Sequence, residues 1–234
     1  VSDSAANNNK IDELTIVNAA GEDTKGQYET VTLIPGTLTI TKRGAGEDKV
    51  KITAADNTVE YDGKPHGAKL NAAGQIEVGT SYTVTNLAEG HSVKTLAIEG
   101  SETDAGVYAD KLVPGNAVIV DGNGVEVTAN YDITYVPGAL TITRRGAGDD
   151  KVVLTAADNT VVYDGQPHGA KLNVAGEIEA GTSYTITNLA DGHKVQSVVI
   201  SGSETAVGEY EDRLVPSGAK IVDAEDNDVT RNYV

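Results

Sequence analysis

The stretch that decides the fold is YDITYVPGALTIT, residues 131–143. Apolar and polar side chains alternate through it: Tyr131, Ile133 and Tyr135 share one side, and Leu140 and Ile142 resume the pattern after Pro-Gly. Because successive side chains of a β-strand point to opposite faces, this period of two indicates two half-buried strands. Similar runs rich in Val, Ile, Thr and Tyr recur along the chain, separated by Gly, Asn or Asp about every 8–12 residues. We therefore predict a mostly β fold, with hairpin turns at Gly115-Asn116 and at residues 122–124.

The chain repeats itself at an offset of 102 residues: YDGKPHGAKL at 61–70 returns as YDGQPHGAKL at 163–172. About two thirds of the aligned positions are identical between the first copy, 44–145, and the second copy, which starts at 146. The second copy has no counterpart of residues 133–145, whereas IPGTLTITKR (34–43) matches VPGALTITRR (136–145). We therefore predict three parts: 1–43 is the C-terminal part of a preceding module, 44–145 is a complete module, and 146–234 is a second module lacking its closing strand.

The composition excludes several classes of function. The net charge is −17, and because affinity for phosphate groups comes from clustered Lys and Arg, we predict no nucleic-acid binding. Cysteine is absent, which excludes disulfides and Cys-based metal or redox sites. No apolar run is long enough for a membrane helix, so we expect no membrane insertion in this segment. There is no Phe, Trp or Met, and ten Tyr join Val, Ile, Leu and Ala as core residues.

The segment 130–143 resembles the C-terminal signature of the MBG (mostly β-grasp) repeats of bacterial cell-surface proteins. YDGKPH, residues 61–66, is similar to the opening of related repeats in surface adhesins. The resemblance implies β-grasp-like or immunoglobulin-like sandwich modules at a bacterial cell surface or in an extracellular filament. It brings no catalytic residues and no cofactor. The linkers RGAG at 43–46 and 145–148 are too short for a flexible tether, which predicts modules placed end to end as an elongated rod.

Three functional hypotheses follow from different classes. The first is a non-catalytic structural protein of a stalk or filament whose partners are copies of itself or neighbouring modules. In that case residues 36–43 of one molecule would complete the second module of the next. The exchanged strand would consist of Thr37, Leu38, Thr39, Ile40 and Thr41. The alternative, that the sequence is a fragment of a longer array of repeats, stays open.

The second hypothesis is an adhesin segment that binds a host surface protein or glycan through module loops. The sequence has no Trp for a sugar-stacking platform, and its Tyr residues alternate like strand residues. The third hypothesis, an enzyme, has the least support. Nucleophile-elbow, metal and phosphate-loop motifs are all missing from the sequence, so we predict no enzymatic activity.

Two groups of residues are candidates for metal or covalent chemistry. Asp223, Glu225 and Asn227 have the alternate spacing of a calcium loop, but the Gly and the later Glu of an EF-hand are missing, which favours a solvated turn. The candidates for Lys–Asn isopeptide crosslinks are Lys49 with Asn130 and Lys151 with Asn232. A charged Lys is seldom fully buried without a partner, which counts against this crosslink.

The histidines lie at equivalent positions of the two copies: His66, His91, His168 and His193. A metal or catalytic site would need convergent partners for them, and each copy lacks an evident second ligand. The motif Tyr-Asp-Gly-Lys/Gln-Pro-His is instead typical of a turn, in which Pro restricts one backbone angle and His caps the loop.

Overall fold

The computed structural model describes residues 5–11, 13–46, 49–148 and 150–234. Strands dominate these residues, with three short 3-10 helices at Lys25–Gln27, Thr128–Asn130 and Thr230–Asn232. The strands are β1 (Ala5–Asn9), β2 (Gly36–Leu38), β3 (Val50–Ala54), β4 (Asn57–Glu60), β5 (Tyr82–Thr85), β6 (Ser92–Glu99), β7 (Gly106–Val120), β8 (Ile133–Val136), β9 (Gly138–Thr143), β10 (Val153–Ala156), β11 (Tyr184–Thr187), β12 (Lys194–Ser201) and β13 (Val215–Val222). The prediction of a mostly β fold is confirmed.

The chain divides into two compact units whose limits differ from those of the sequence copies. Unit 1 draws on the chain up to Thr53, on Thr83–Ala97 and on Gly115–Val136. Unit 2 consists of Ala54–Tyr82, Ile98–Pro114 and Pro137–Val234. Each unit therefore takes part of the first copy, and unit 2 adds the whole second copy to it. The predicted parts, 1–43, 44–145 and 146–234, describe the period of the sequence, and as folding modules they stay a prediction.

Unit 1 has its core around strand β3. In the three-stranded sheet β5-β3-β8, β3 runs parallel to β8, with Val50 opposite Ile133 and Thr53 opposite Val136. Val50 and Ile119 are fully buried and pack with Tyr131. The alternation that predicted a strand at 131–136 thus buries one side of that strand.

Unit 2 has its core around strand β9. β9 is a central strand: it is parallel to β4 and antiparallel to the first half of β7, over Gly106–Leu112. Leu140 and Ile142, predicted to face inward, are 0% and 2% exposed and pack with Tyr61 and Leu112. A central strand with apolar residues at alternate positions is stabilised by ladders on both edges and by burial of one face.

The prediction of a hairpin at Gly115-Asn116 was wrong. Both residues lie within the continuous strand β7, where Asn116 adopts a left-handed φ of 54°. An isolated left-handed residue distorts an extended strand as a bulge without reversing it. The predicted turn at residues 122–124 is confirmed: the Asp121 N–H donates to Val125 O (2.9 Å), and Gly124 has φ 79°.

Candidate functional site

In unit 2, Arg145 at the end of the first copy binds the last residues of the second copy. The Arg145 N–H donates to Asn232 O (2.9 Å), and the Val234 N–H donates to Arg145 O (3.0 Å), forming a parallel bridge between Arg145 and Tyr233. The Arg145 Nε–H also donates to Asn188 O (2.6 Å). We call this set of contacts the repeat junction. It joins the two copies through backbone and side chain together.

The same arrangement occurs in unit 1, with every residue 102 positions earlier. The Arg43 N–H donates to Asn130 O (2.9 Å), the Asp132 N–H donates to Arg43 O (2.8 Å), and the Arg43 Nε–H donates to Asn86 O (2.5 Å). The Asn86 amide in turn donates to Lys49 O (2.8 Å). The repeat junction therefore occurs in both units, formed by equivalent residues.

The glycine after each junction arginine is required by the backbone. Gly44 and Gly146 have φ of 90° and 84°, in the left-handed region that favours glycine. A Cβ on Gly44 would lie 2.4 Å from Asp132 O, and one on Gly146 would lie 2.9 Å from Val152 N. The glycine thus lets the chain turn from the bridged arginine into the next copy, at a point where a side chain would collide with neighbouring backbone atoms.

A buried polar contact lies beside the junction in unit 2. Asn232 is 0% exposed; its amide donates to Asp104 Oδ1 (2.8 Å), and its oxygen accepts the Ala105 N–H (2.9 Å). The Arg231 guanidinium forms an ion pair with the other oxygen of Asp104. The Asn232 amide, followed by Arg231, holds the pKa of Asp104 below its ordinary value. Asp104 belongs to the first copy, so these bonds also join the two copies.

Three rings pack in the same region of unit 2. Tyr61 of the first copy is 1% exposed and meets Tyr233 edge to face, with ring centroids 5.6 Å apart, and His193 at 5.8 Å. The Tyr233 hydroxyl accepts the Ala190 N–H (3.1 Å) and forms a second hydrogen bond with His193 Nδ1 (2.6 Å), whose direction is set by the imidazole tautomer. Burial lowers the pKa of His193 and raises the pKa of both tyrosines. The cluster is therefore neutral near pH 7 and acts as packing with internal hydrogen bonds.

The calcium candidates form a hydrogen-bonded turn. Asp223 Oδ1 accepts the backbone N–H of Glu225 (3.0 Å) and of Asn227 (2.8 Å), and Asp223 Oδ2 accepts the Asn227 amide (3.0 Å). The Asn227 amide is the main cause of the lowered pKa of Asp223. These residues border a pocket of about 490 Å³ in unit 2. Within the described ranges, no group of His, Cys, Asp and Glu is arranged to hold a metal ion. Calcium binding stays a prediction.

His66 and His168 lie in the turns where the sequence motif occurs. Each imidazole Nε2 contacts the Asp four residues earlier: Asp62 at 2.7 Å and Asp164 at 2.8 Å. The backbone of His66 also exchanges two hydrogen bonds with Glu102. Partial burial opposes ionisation of Asp62, but hydrogen bonds from the Lys64 N–H and His66 outweigh it and lower the pKa of Asp62. These contacts account for the motif as a turn and cap.

The isopeptide candidates are placed in contrasting environments. Lys49 and Lys151 are exposed, and the backbone carbonyl of each accepts an Asn amide hydrogen bond. Asn130 is exposed, whereas Asn232 is fully buried with its amide on Asp104. Both crosslinks stay predictions, and a measurement of intact mass would detect them.

The strand-exchange candidates lie in the N-terminal part of unit 1. Thr37 and Leu38 belong to β2, which pairs antiparallel with β1, and Thr39, Ile40 and Thr41 follow it outside any strand. The side chains of Leu38 and Ile40 are 48% and 46% exposed. The structure thus presents this apolar segment at the surface.

The residues that sequence reasoning missed are the partners of the junction. Asp104 and Asn188 lie in turns or loops, where their residue types are common for local reasons, and Arg231 lies in the short 3-10 helix Thr230–Asn232. The only available signal was that Arg43 and Arg145 occupy equivalent positions just before an RGAG linker. The arginines contact Asn86 and Asn188 over 43 residues and Asn130 and Asn232 over 87 residues, and no local pattern identifies contacts over such distances.

Comparisons with known proteins found no matching family model, no similar curated protein and no similar solved structure. Within the described part of the chain, none of the helices has the length and apolar character needed to cross a bilayer.

Proposed function

We propose that this chain is a non-catalytic structural repeat protein of a bacterial extracellular stalk or filament, built from sandwich modules of the MBG type placed end to end. Its task would be to bear load between an anchored end and a distal end. The observation that supports this most is that the first copy pairs its entry strands with its exit strands in parallel.

In unit 1, entry strand β3 pairs in parallel with β8, over Val50–Thr53 and Ile133–Val136. In unit 2, entry strand β4 pairs in parallel with β9, over Asn57–Glu60 and Leu140–Thr143. When the two ends of a copy are pulled apart, parallel neighbours must slide along one another. All hydrogen bonds of each ladder are then loaded at once, whereas a hairpin pulled at its open end breaks its bonds one after another. This arrangement favours resistance to force.

The repeat junction supports the same proposal, because it would pass the load from one copy to the next. Arg145 bonds to Asn232 and Asn188, and buried Asn232 bonds to Asp104 of the first copy. A flexible tether would leave neighbouring modules mechanically independent. A bonded and packed junction resists bending between copies, as a stalk requires.

Force spectroscopy on the full chain tests the proposal. The chain has no cysteine, so cysteine pairs can place the handles, and two exposed equivalent positions, Ala45→Cys and Ala147→Cys, pull across the first copy. The control places handles at Lys194→Cys and Ala224→Cys, at the open end of the antiparallel pair β12–β13. We expect a rupture force several times higher across the first copy. Equal forces, or binding of glycans or host proteins through loops with no mechanical difference, would contradict the stalk function.

A further inference from the structure

We propose that Asp104 and Arg231 are specificity-determining residues, which select the first copy as the neighbour of the second copy in unit 2. This inference rests on the proposed structural function and names the contact that decides which copy docks on which. Asp104 belongs to the first copy and Arg231 to the second, and their side chains form an ion pair. Asp104 also accepts a hydrogen bond from the amide of fully buried Asn232 (2.8 Å).

The two surfaces that meet here have close relatives elsewhere in the chain. The Asp104 surface consists of Tyr61, Gly63, Asp104 and Ala105, and the Arg231 surface consists of His193, Arg231, Asn232 and Tyr233. Their equivalents are the Ala206 surface, with Tyr163, Gly165, Ala206 and Val207, and the Ala129 surface, with His91, Ala129, Asn130 and Tyr131. Because the ring, glycine and asparagine positions are identical in both copies, they do not distinguish the correct neighbour from its relative.

The two copies differ at the positions whose side chains form the ion pair. ETDAGVY (102–108) returns as ETAVGEY (204–210), and VTANY (127–131) returns as VTRNY (229–233). Positions 105 and 107 also differ, but Ala105 bonds through its backbone N–H, and Val107 is exposed. The carboxylate and the guanidinium are therefore present on the two surfaces that meet, and Ala stands at both equivalent positions.

An Ala206 surface placed on the Arg231 surface would supply no acceptor oxygens. The Asn232 amide is fully buried and would lose the carboxylate that accepts its hydrogen bond. A buried donor without an acceptor opposes docking, because it has given up its hydrogen bonds to water. The Arg231 guanidinium would lose its ion pair at the same time. This pairing is therefore disfavoured by missing partners on both side chains.

An Asp104 surface placed on the Ala129 surface would be disfavoured by repulsion. Arg231 borders a cavity of about 490 Å³ together with the carboxylates of Asp104, Asp191, Asp223, Glu225 and Asp228. The first copy keeps acidic residues at three of the equivalent positions, Glu89, Asp121 and Glu126, but has Ala129 in place of the arginine. Asp104 would then face carboxylates without a compensating cation. Repulsion of the wrong partner, added to attraction of the right one, is a general source of specificity.

The exposure of the ion pair favours a role in selection over a role in stability. The side chains of Arg231 and Asp104 are 70% and 42% exposed. An exposed ion pair stabilises a fold little, because water screens both charges. Complementary charges still exclude wrong partners and fix the register of docking. Docking of the wrong modules is a characteristic error of repeat proteins, and about two thirds of the positions are identical between these copies.

Four full-length chains reproduce the four possible surface pairings within one molecule. Asp104→Ala gives the first copy the residue found at position 206, Arg231→Ala gives the second copy the residue found at position 129, and the double variant combines them. Hydrogen exchange at the N–H groups of Ala105 and Arg145, which both donate to Asn232, reports opening of the junction. We expect the double variant to open at least about threefold less than the product of the two single effects.

Charge variants separate recognition from packing. Asp104→Asn keeps an oxygen that can accept the Asn232 amide but removes the charge, so in that chain Arg231→Ala should have little further effect. Arg231→Lys keeps the charge and should open the junction less than Arg231→Ala. The coupling should also decrease as salt is raised to about 1 M. The control is the exposed ion pair Lys194–Asp226 (2.9 Å), which lies within the second copy; Lys194→Ala and Asp226→Asn should be coupled less than about twofold.

Additive effects of the two Ala substitutions, a coupling no larger than that of the control pair, a coupling unchanged by salt, or a full effect of Arg231→Ala in the Asp104→Asn chain would each overturn the inference. Additive effects with a high rupture force across the first copy would reject the specificity role alone. A coupled cycle with a low rupture force would reject the stalk function alone.

Discussion

Replacing Asn232 by Ala should destabilise unit 2 strongly, because this fully buried side chain joins the two copies. The substitution removes the hydrogen bond to the Asp104 carboxylate (2.8 Å) and leaves the Ala105 N–H without its acceptor (2.9 Å). A bond to a charged group is worth about 1.5–3 kcal/mol, and a buried unsatisfied group costs about 1–3 kcal/mol. Asp104 keeps Arg231 and partial access to water, which reduces the loss. We therefore expect a decrease of about 2–4 kcal/mol in the free energy of unfolding.

Urea unfolding followed by circular dichroism measures this change, and hydrogen exchange assigns it to unit 2. With a slope of about 2 kcal/mol per molar urea, the midpoint should fall by about 1–2 M. Asn130→Ala is the matched control, since it removes the same residue type from the equivalent but exposed position and should cost less than about 1 kcal/mol. Asn232→Asp should be worse than Ala at neutral pH, because it places a second carboxylate against Asp104, and should recover partly in acid. Equal losses at positions 130 and 232 would refute the reasoning.

Three further outcomes are expected. Gly146→Ala should lower the free energy of unfolding by about 1–3 kcal/mol, because φ is left-handed there and the new Cβ would lie 2.9 Å from Val152 N. Gly148→Ala, whose Cβ would meet no atom within 4 Å, is the control and should change the melting temperature little. Burial holds the pKa of His193 below its unfolded value of 6.5, so the unfolded chain binds more protons and stability should decline as pH falls through 6.5 toward the folded pKa; His193→Gln should abolish that slope in urea titrations at stepped pH. Intact mass should equal that of the unmodified sequence, because the Asn232 amide is already engaged; loss of ammonia together with a linked Lys–Asn peptide after digestion would establish a crosslink.

The sequence predicted the fold class and much of the strand pattern because burial on one face of a strand leaves a local trace. Leu140 and Ile142 alternate with Thr, and both prove buried. The conformation at Asn116 could not be predicted from the local sequence, because a Gly-Asn pair is compatible with a tight hairpin turn and with a bulge inside a strand. The structure shows that β7 continues through that point as one strand, and the two residues alone do not distinguish the two outcomes.

The histidines illustrate the same limit for the candidate site. A turn role could be predicted for His66 from the adjacent Pro and Gly, and its contact with Asp62 fits that role. His193 carries no comparable signal, although it contacts Tyr233 and packs on Tyr61. Its equivalent, His91, makes the same tyrosine contact in unit 1. Repetition of the residue indicated a structural role, but its partners became visible only when distant segments were brought together.

By itself, the sequence determined that the chain is β-rich and duplicated, and that residues 34–43 match the end of the first copy, because identity and alternation are properties of the chain alone. The tertiary structure alone decided that the compact units cut across the copies and that Arg145 and Asp104 bind the second copy. It also decided that Tyr163 is exposed where Tyr61 is buried. The physical reason is that burial depends on the distant segments that folding brings together: the rings of Tyr233 and His193 pack on Tyr61. Two identical side chains therefore differ in exposure when different segments surround them.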